Sequence, residues 1–377
     1  MDGMEVTKEV FENIYKKKKV LITGNTGFKG SWLTTWLLKL GAKVYGISKD
    51  IPTKPSMFEE LGLEKKVVHH NKDIRDLDSV KIIIDEIKPD FLFHLAAQSL
   101  VSVSYSDPVE TISTNVQGTT NILEALRTVN HKCVGIIITS DKCYDNVEWV
   151  WGYKETDRLG GRDIYSGSKG AAELIFKSYY HSFFKRSESN VKVVTTRAGN
   201  VIGGGDWALD RIVPDCMRAW SKNKVVEIRS PNATRPWQHV LEPLSGYLTL
   251  GMQLYKGDDL NGESFNFGPL SQYSQTVETL IGDLSKYWNN SDTAQAYKVT
   301  DNIKFHEAGL LKLNCDKALL LLKWMLTLDY EKLIEFTGSW YLKFYKGQIN
   351  MFDFTLSQID EYERIASDKE IQWAEQV

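Results

Sequence analysis

A chain of 377 residues can bury a large hydrophobic core and has room for a second lobe beside it. The formal net charge of -3, with acidic and basic residues interspersed, gives no electrostatic reason to expect nucleic acid or a membrane surface as a partner. No C-x-x-C pair and no apolar run near the ~18 residues of a membrane span occur, which argues against a disulfide framework, a structural zinc site and a membrane anchor. Because Asp2, Glu5 and Glu9 are also unlike a secretory signal, we expect a reduced, cytoplasmic protein.

Short apolar or β-branched runs alternate with amphipathic stretches from Lys19 to about Arg197. The predicted strands are Val20–Thr23, Lys43–Ile47, Val67–His70, Phe91–Ala96, Gly135–Thr139 and Val191–Thr196. The predicted helices lie near Gly30–Leu40, Asp76–Ile87, Val109–Thr128 and Ser168–Phe184. This rhythm is typical of repeated β-α-β units and predicts an α/β fold with a doubly wound, parallel Rossmann-type sheet.

The composition changes after Asn200, where Gly203-Gly204-Gly205-Asp206-Trp207 leads into short mixed elements. We therefore predict a dinucleotide-binding domain over residues 1–200, with segments near 235–270 returning to it. Residues 201–377 are predicted to form mainly a smaller substrate-binding lobe over the carboxyl edge of the sheet, with a polar tail after about Asp353.

A glycine motif with G-x-x-G-x-x-G spacing joins the first strand to the first helix. Such a turn presents free backbone N–H groups to a pyrophosphate, although glycine-rich turns also occur for structural reasons alone. The flanking strand and helix favour the dinucleotide site. The residues predicted to contact the cofactor here are Gly24, Thr26, Gly27, Phe28 and Gly30, with Asp73 and Ile74 after the third strand placed to meet an adenine.

Tyr165 and Lys169 are four residues apart, so a helix places the phenol and the ammonium on one face. A phenol titrates near ~10, and a neighbouring cation helps it to act as a base. Y-x-x-x-K also arises by chance, as a surface aromatic and a solvated lysine. Ser140 favours the functional interpretation because it ends an apolar strand at the sheet edge where the tyrosine helix begins, and supplies a donor to a reacting oxygen.

Six separated segments resemble the extended short-chain dehydrogenase/reductase family, and within it the CDP-glucose 4,6-dehydratase group. They are Thr23–Leu33 (TGNTGFKGSWL), His94–Gln98 (HLAAQ), Thr139–Tyr144 (TSDKCY), Arg197–Trp207 (RAGNVIGGGDW), Arg235–Pro243 (RPWQHVLEP) and Asn266–Pro269 (NFGP). The resemblance runs from about Lys19 to about Trp324. It implies conversion of CDP-glucose to CDP-4-keto-6-deoxyglucose by internal hydride transfer through a bound NAD.

The resemblance also implies roles for five catalytic residues. Tyr165, aided by Lys169 and Ser140, would take the proton of the sugar 4-hydroxyl. Lys142 would remove the C5 proton and Asp141 would protonate the departing 6-hydroxyl. Since an ammonium cannot accept a proton, we expect desolvation and nearby positive charge to lower the pKa of Lys142. The alternative is a simple ion pair between neighbours at a strand end.

Further contact positions are predicted in addition to these catalytic residues. Ser48 and Ala96 join the predicted cofactor contacts, as do Tyr165 and Lys169. The predicted substrate contacts are Gln98, Asn200, Arg235 and Asn266, with Arg235 a candidate for the diphosphate. His69, His70 and His94 lack a second ligand group at metal spacing, so we predict structural roles and no metal site.

The chain departs from the family pattern at two places. Asn25 stands where the family usually has His, and neither Ser102 nor Val103 supplies the basic residue expected there. The second strand ends Ile47-Ser48-Lys49, without the carboxylate typical of an NAD site. NAD is predicted from the resemblance, with NADP left open because serine and lysine could accept a 2′-phosphate.

Two other functions stay open at this stage. A dehydratase or epimerase of the same fold could act on a different nucleotide sugar, although the Asp141-Lys142 pair favours dehydration. A non-catalytic nucleotide-sensing protein would not need these side chains together. The predicted helices Val109–Thr128 and Ser168–Phe184 have apolar positions on more than one face, which predicts a homodimer through a four-helix contact.

Overall fold

The computed structural model describes residues 10–228, 230–269, 274–288, 296–300, 310–347 and 349–375. The strands in this part of the chain are β1 (Lys19–Thr23), β2 (Lys43–Ser48), β3 (Val68–Asn71), β4 (Phe91–His94), β5 (Cys133–Ile138), β6 (Val191–Ala198), β7 (Val201–Ile202), β8 (Val226–Ile228), β9 (Thr234–Arg235), β10 (Gln238–His239), β11 (Ser264–Phe267), β12 (Gln275–Thr276) and β13 (Tyr297–Val299).

The α-helices are α1 (Phe28–Lys39), α2 (Met57–Glu60), α3 (Leu77–Ile87), α4 (Val101–Ser106), α5 (Pro108–Ile112), α6 (Gly118–Arg127), α7 (Ile164–Tyr179), α8 (Ile212–Trp220), α9 (Leu241–Lys256), α10 (Val277–Tyr287), α11 (Asp316–Leu322), α12 (Tyr330–Lys346) and α13 (Met351–Asp368). Short 3-10 helices span Val10–Asn13, Leu63–Lys65, Asp141–Cys143 and Gln372–Ala374. None of the described helices is both long and apolar enough to cross a bilayer.

Seven parallel strands form the central sheet in the order β11-β6-β5-β4-β1-β2-β3. Side chains of a strand alternate between the two faces of its sheet, and Val20 and Ile22 accordingly enter one buried cluster while Leu21 enters another. Helices α1 and α9 cover the first face, and α3, α6 and α7 cover the second. The predicted doubly wound parallel sheet is confirmed, with all six predicted strands present.

Two predicted helices differ in detail from the observed ones. The helix predicted over Val109–Thr128 is α5 and α6 joined by a π-helical turn at Ser113–Gln117. In that turn Asn115 donates from Nδ2 to Ser168 Oγ of α7 at 2.9 Å. Helix α7 begins at Ile164, before the predicted Ser168, because Asp163 caps it by accepting from the Ser166 N–H. This earlier start places Tyr165 in the first turn of the helix.

The C-terminal part of the chain packs against the first helix of the sheet domain. Trp36 Nε1 donates to Glu363 Oε1 of α13 at 2.8 Å, and Lys39 Nζ lies 2.5 Å from Glu363 Oε2. Trp36 also meets Tyr362 and Trp373 edge-to-face. The apolar outer face of α1 is thereby buried, so α13 has a structural role in the sheet domain. The tail after Asp353 is helical as far as Asp368.

Candidate active site

The glycine motif forms a tight turn between β1 and α1. Gly24 has φ +77°, and a Cβ there would lie 2.7 Å from the backbone N of Ala96. A Cβ on Gly30 would lie 2.1 Å from the Gly24 carbonyl oxygen. The N-cap of α1 is Gly27, which has no side chain to cap the first N–H groups. This open helix N-terminus fits the pyrophosphate of a dinucleotide. Thr26 donates to the Asp50 carbonyl at 2.7 Å, and Phe28 begins α1.

Asn25 is fully buried and joins the glycine turn to β2 and β3. Its Oδ1 accepts from Ser48 Oγ at 3.0 Å, and its Nδ2 lies 3.3 Å from His69 Nδ1. Gly46 leaves the space that the amide occupies, since a Cβ there would be 2.2 Å from Asn25 Cγ. Asn25 therefore holds the turn internally, and it engages the Ser48 hydroxyl predicted to meet the cofactor.

The strand ends predicted to meet the adenosine carry a network of charges. Arg75 donates to both carboxylate oxygens of Asp73, from Nε at 3.1 and 3.0 Å, and hydrogen bonding from Arg75 lowers the pKa of Asp73. Glu110 binds Arg75 and also accepts from Lys49 Nζ at 2.7 Å. Ile74 is buried against Gly118. The lysine that could accept a 2′-phosphate is thus already paired with a carboxylate.

Ser140, Asp141 and Lys142 follow β5 after one intervening residue, Thr139, at the carboxyl edge of the sheet. Ser140 Oγ donates to Asp141 Oδ1 at 2.9 Å and accepts from the Lys142 N–H at 3.3 Å. Asp141 is buried and lines a crevice with Gly199 and Pro236, whereas Lys142 is half-buried. The short 3-10 helix at Asp141–Cys143 therefore brings the Asp141 carboxylate and the Lys142 backbone next to the serine.

Tyr165 and Lys169 are both buried on α7, facing this segment. Burial raises the pKa of Tyr165 to about 12, while a hydrogen bond with Ser140 and the charge of Arg211 act to lower it. Burial lowers the pKa of Lys169 to about 8, so its ammonium loses a proton more easily than an exposed lysine. The structure brings Ser140, Asp141 and Tyr165 together as the sequence predicts, with Lys169 one turn further along the same helix face.

Sequence reasoning missed two cations at this site, Lys29 and Arg211. Burial, and then the positive charge of Arg211, lower the pKa of Lys29 to about 8, and the charges of Asp141 and Lys169 also act on it. Arg211 Nη1 lies 2.8 Å from Asp206 Oδ2. Lys29 was visible in the motif as a cation in the first turn of a helix, where the helix dipole disfavours it. The placement of Arg211 depends on the return of the chain after β7 and left no signal in the sequence.

Two of the four predicted substrate contacts, Gln98 and Asn266, use their side-chain amides in hydrogen bonds within the protein. Gln98 uses its whole amide internally, donating to Leu100 O and Thr111 Oγ1 and accepting from Leu100 N–H. Asn266 is fully buried, and donates to Tyr153 O and Asn314 O at 2.9 and 3.0 Å while accepting from Tyr144 OH at 2.8 Å. Contact of either amide with a ligand would require it to leave these partners.

The other two predicted contacts are both partly buried. Asn200 follows β6, and Arg235 lies in β9. Arg235 Nη1 donates to the Thr234 carbonyl at 2.9 Å.

His94, predicted to be structural, lies between Thr23 Oγ1 at 2.7 Å and Thr119 Oγ1 at 3.1 Å. Burial lowers the pKa of His94 to about 3, so the ring is neutral. Among the described residues no group of three or more His, Cys, Asp or Glu side chains could hold a metal.

A parallel sheet with a glycine turn at its first strand, and a tyrosine and lysine on a helix beside a strand-end serine, defines the extended short-chain dehydrogenase/reductase class. The profile of the family described as GDP-mannose 4,6 dehydratase matches residues 21–337. The chain is 44% identical over 336 residues to the CDP-glucose 4,6-dehydratase of Salmonella typhimurium, covering 87% of this chain and 93% of that protein. The chain belongs to this family of nucleotide-sugar dehydratases.

Solved structures share the fold. An epimerase, Mth375, from Methanothermobacter thermautotrophicus superimposes with a TM-score of 0.76 at 22% identity, covering 89% of this chain and 95% of that one. A double mutant of the dTDP-glucose 4,6-dehydratase DesIV from Streptomyces venezuelae, with NAD bound, gives a TM-score of 0.72 at 20% identity, covering 86% and 97%. At this identity the likeness concerns the fold alone.

Proposed function

We propose that this protein is a nucleotide-sugar 4,6-dehydratase that converts CDP-glucose to CDP-4-keto-6-deoxyglucose. The main support is the 44% identity to a CDP-glucose 4,6-dehydratase over nearly the whole of both chains. The site adds one observation that supports dehydration. The buried carboxyl of Asp141 is hydrogen-bonded to Ser140, and both residues lie close enough to Tyr165 to affect its pKa. Oxidation at C4 alone would need only the serine, tyrosine and lysine.

In the first step Tyr165 takes the proton from the sugar 4-hydroxyl. The phenol needs help to ionise because burial raises its pKa, and Ser140 and Arg211 supply a hydrogen bond and a positive charge. Lys169 supports the same change from the same face of α7. A bound NAD supplies the acceptor for the C4 hydride and the donor that later returns it to the sugar.

Elimination follows from the acidity that a C4 ketone confers on C5. Lys142 accepts the C5 proton as the C5–H bond breaks, and Asp141 donates a proton to the 6-hydroxyl, which leaves as water as a C5–C6 double bond forms. The hydride then returns to C6, and Lys142 returns a proton to C5 to complete the 4-keto-6-deoxy sugar. The crevice that Asp141 lines with Gly199 and Pro236 supports this role, because it lies beside the carboxyl end of β6. Substrate held in that crevice would meet Asp141, and Lys142 is the next residue in the chain.

NAD is the proposed cofactor. The glycine turn fits a dinucleotide, and the cationic side chain nearest the end of β2, Lys49, is neutralised by Glu110. Arg75 is likewise engaged by Asp73 and Glu110. A 2′-phosphate would have to compete with these carboxylates, whereas a ribose hydroxyl would not.

Incubation of the purified protein with CDP-glucose, and separately with dTDP-glucose and GDP-mannose, tests the proposal. The expected result is a 4-keto-6-deoxy product from CDP-glucose without added cofactor, because the hydride returns to the sugar and the cofactor ends unchanged. Turnover of only another nucleotide sugar would refute the substrate assignment. Exchange of the C4 configuration without loss of water would refute dehydration.

We also propose a homodimer through α5 and α7, which pack side by side. Val109, Ile112 and Leu174 on these helices are 75%, 46% and 55% exposed. Apolar side chains at this exposure on adjacent helices favour a four-helix contact between two copies. Light scattering of the parent should give twice the mass of one chain. The double variant Val109→Glu with Leu174→Glu should give the mass of a single chain. A parent protein that is monomeric at micromolar concentration would refute the dimer.

A further inference from the structure

A buried ion pair lies directly behind the candidate active site. Glu173 and Arg197 have no exposed side-chain surface, and Arg197 donates to both oxygens of Glu173, from Nε at 2.9 Å and from Nη2 at 2.8 Å. Glu173 is on α7, one turn beyond Lys169, and Arg197 is on β6. Two parallel charge-assisted bonds of this kind fix both the distance and the orientation of the two side chains.

The pair binds the chain on both sides of the catalytic segment Ser140–Cys143. Before it, Thr139 Oγ1 donates to Glu173 Oε1 at 2.5 Å. After it, Arg197 Nη1 donates to Tyr144 OH at 2.8 Å, and its guanidinium stacks over the Tyr144 ring at 4.9 Å. The segment that holds Ser140, Asp141 and Lys142 is therefore tethered at each end to one buried pair.

Stability alone is a weak reason for such a pair. Desolvation of two charges costs several kcal/mol, and well-packed apolar residues in their place often leave a protein equally stable or more stable. What apolar residues could not reproduce is a fixed geometry between α7, which carries Tyr165 and Lys169, and the end of β5. The negative charge of Glu173 also acts on Lys169, whose pKa it raises against the lowering effect of burial.

We infer that the Glu173–Arg197 pair is the positioning element of the active site, which holds Ser140–Cys143 in register with Tyr165 and Lys169. The pair touches no reacting group: Glu173 acts through Thr139 and the helix it belongs to, and Arg197 acts through Tyr144. The inference rests on the proposed function in so far as it takes these side chains to be the catalytic ones.

A matched pair of substitutions separates positioning from stability, and avoids removal of a buried charge that could prevent folding. The hydroxyls of Thr139 and Thr195 contact Glu173 at 2.5 and 2.9 Å, and both residues are buried. Each hydroxyl also has a second neighbour, the Thr196 carbonyl at 3.2 Å for Thr139 and Ser264 Oγ at 2.8 Å for Thr195. Thr195 lies inside β6, paired with Ile137 on one side and Ser264 on the other, so the sheet holds it without the hydroxyl. Thr139→Val removes the side-chain tether beside Ser140 and leaves the Thr139 N–H bond to the Thr196 carbonyl at 2.9 Å, whereas Thr195→Val removes no tether next to the catalytic segment.

We expect both valine variants to lose a similar amount of thermal stability. Thr139→Val should lower kcat about tenfold or more with little change in KM, since small misplacements of catalytic groups are costly. Thr195→Val should keep the parent kcat, and Thr139→Ser, which retains the donor, should restore it. Equal losses of kcat in the two valine variants, or a fully active Thr139→Val, would overturn the inference.

Hydrogen exchange gives a readout that needs no substrate. The backbone amides of residues 140–144 should exchange faster in Thr139→Val than in the parent or in Thr195→Val. Unchanged exchange in Thr139→Val would refute the tether. If the parent dehydrates none of the nucleotide sugars, the proposed function fails, and the exchange comparison still decides whether the pair positions the segment.

Discussion

Ser140 Oγ donates its hydrogen bond to Asp141 Oδ1 at 2.9 Å, so the hydroxyl expected to assist Tyr165 is shared with the next residue in the chain. The residue proposed for oxidation at C4 and the one proposed for loss of water are thus directly connected. Substrate binding between them would divert the serine donor from the carboxylate to the sugar oxygen, which links the two halves of the reaction.

Asp141→Asn should lower kcat for dehydration by about 10²-fold or more, because an amide cannot act as the general acid for the departing hydroxyl. Reduced nicotinamide should still form, since Tyr165 and Lys169 are unchanged. Product formation and the absorbance of the reduced cofactor measure the two steps separately. Asp145→Asn is the control, because that carboxylate pairs with Arg158 at 3.4 Å and is outside the proposed site. A similar loss in both variants would contradict the role of Asp141.

Lys142→Met should stop deprotonation at C5 while leaving oxidation at C4. In deuterated solvent the parent should incorporate deuterium at C5, and the variant should not, because no amine is present to exchange the proton. Lys177→Met, at an exposed position on α7, serves as the matched control. Dehydration by Lys142→Met at the parental rate would show that another group is the base.

Glu110→Gln should shift cofactor preference toward NADP. The carboxylate holds Lys49 and Arg75, so its removal frees Lys49 to bind a 2′-phosphate and leaves Arg75 paired with Asp73 alone. We expect the affinity ratio of NADP to NAD to rise about tenfold, measured by titration of each cofactor at low salt. Glu124→Gln is the control because it also releases two cations, Lys81 and Arg127, at a different surface. An unchanged ratio would mean that Lys49 does not face the ribose.

Gly24→Ala should abolish tight cofactor binding and destabilise the protein. The new Cβ would lie 2.7 Å from the Ala96 nitrogen, in a turn that requires φ +77°. Gly282→Ala, inside α10 with no atom within 4 Å of its added Cβ, should instead stabilise by about 0.5–1 kcal/mol. Thermal unfolding and cofactor titration distinguish the two. Normal binding by Gly24→Ala would refute the tight turn.

Glu242 makes the stability of the protein depend on pH. It is buried, accepts from the Thr327 and Leu328 N–H groups at 3.0 and 2.7 Å, and accepts from Tyr362 OH at 2.9 Å. Burial raises its pKa from 4.5 to about 7, so between these values the folded protein binds more protons than the unfolded chain. The contribution of this carboxyl is therefore full below pH ~4.5 and declines as the pH rises through ~7.

Glu242→Gln removes this titration. The free energy of unfolding of the variant, relative to the parent, should rise by about 3 kcal/mol between pH ~4.5 and ~7. Tyr362→Phe removes a bond that lowers the pKa of Glu242, so in that variant the decline should extend to higher pH. Denaturant unfolding across this range measures both effects. If the difference in free energy of unfolding between Glu242→Gln and the parent does not change with pH, the raised pKa is refuted.

Local pattern alone determined the parallel sheet, the glycine turn and the cluster of Ser140, Asp141 and Tyr165. Runs such as Val20–Thr23 are buried on both faces of a parallel sheet, and their ends all lie at one edge, so residues that follow them in sequence meet in space. The spacing of Tyr165 and Lys169 on one helix face is equally local. For these features the chain order is enough.

Tertiary structure decided the rest, because it depends on contacts between residues far apart in the chain. Arg211 reaches the site through Asp206, Glu110 neutralises Lys49 sixty-one positions away, and Arg197 binds Glu173 across two elements of the sheet domain. Asn266 and Gln98 are polar residues in recognisable motifs, yet their amides pair internally. A motif shows which polar groups are present, whereas only the packed fold determines which of them are already satisfied and which remain for a ligand.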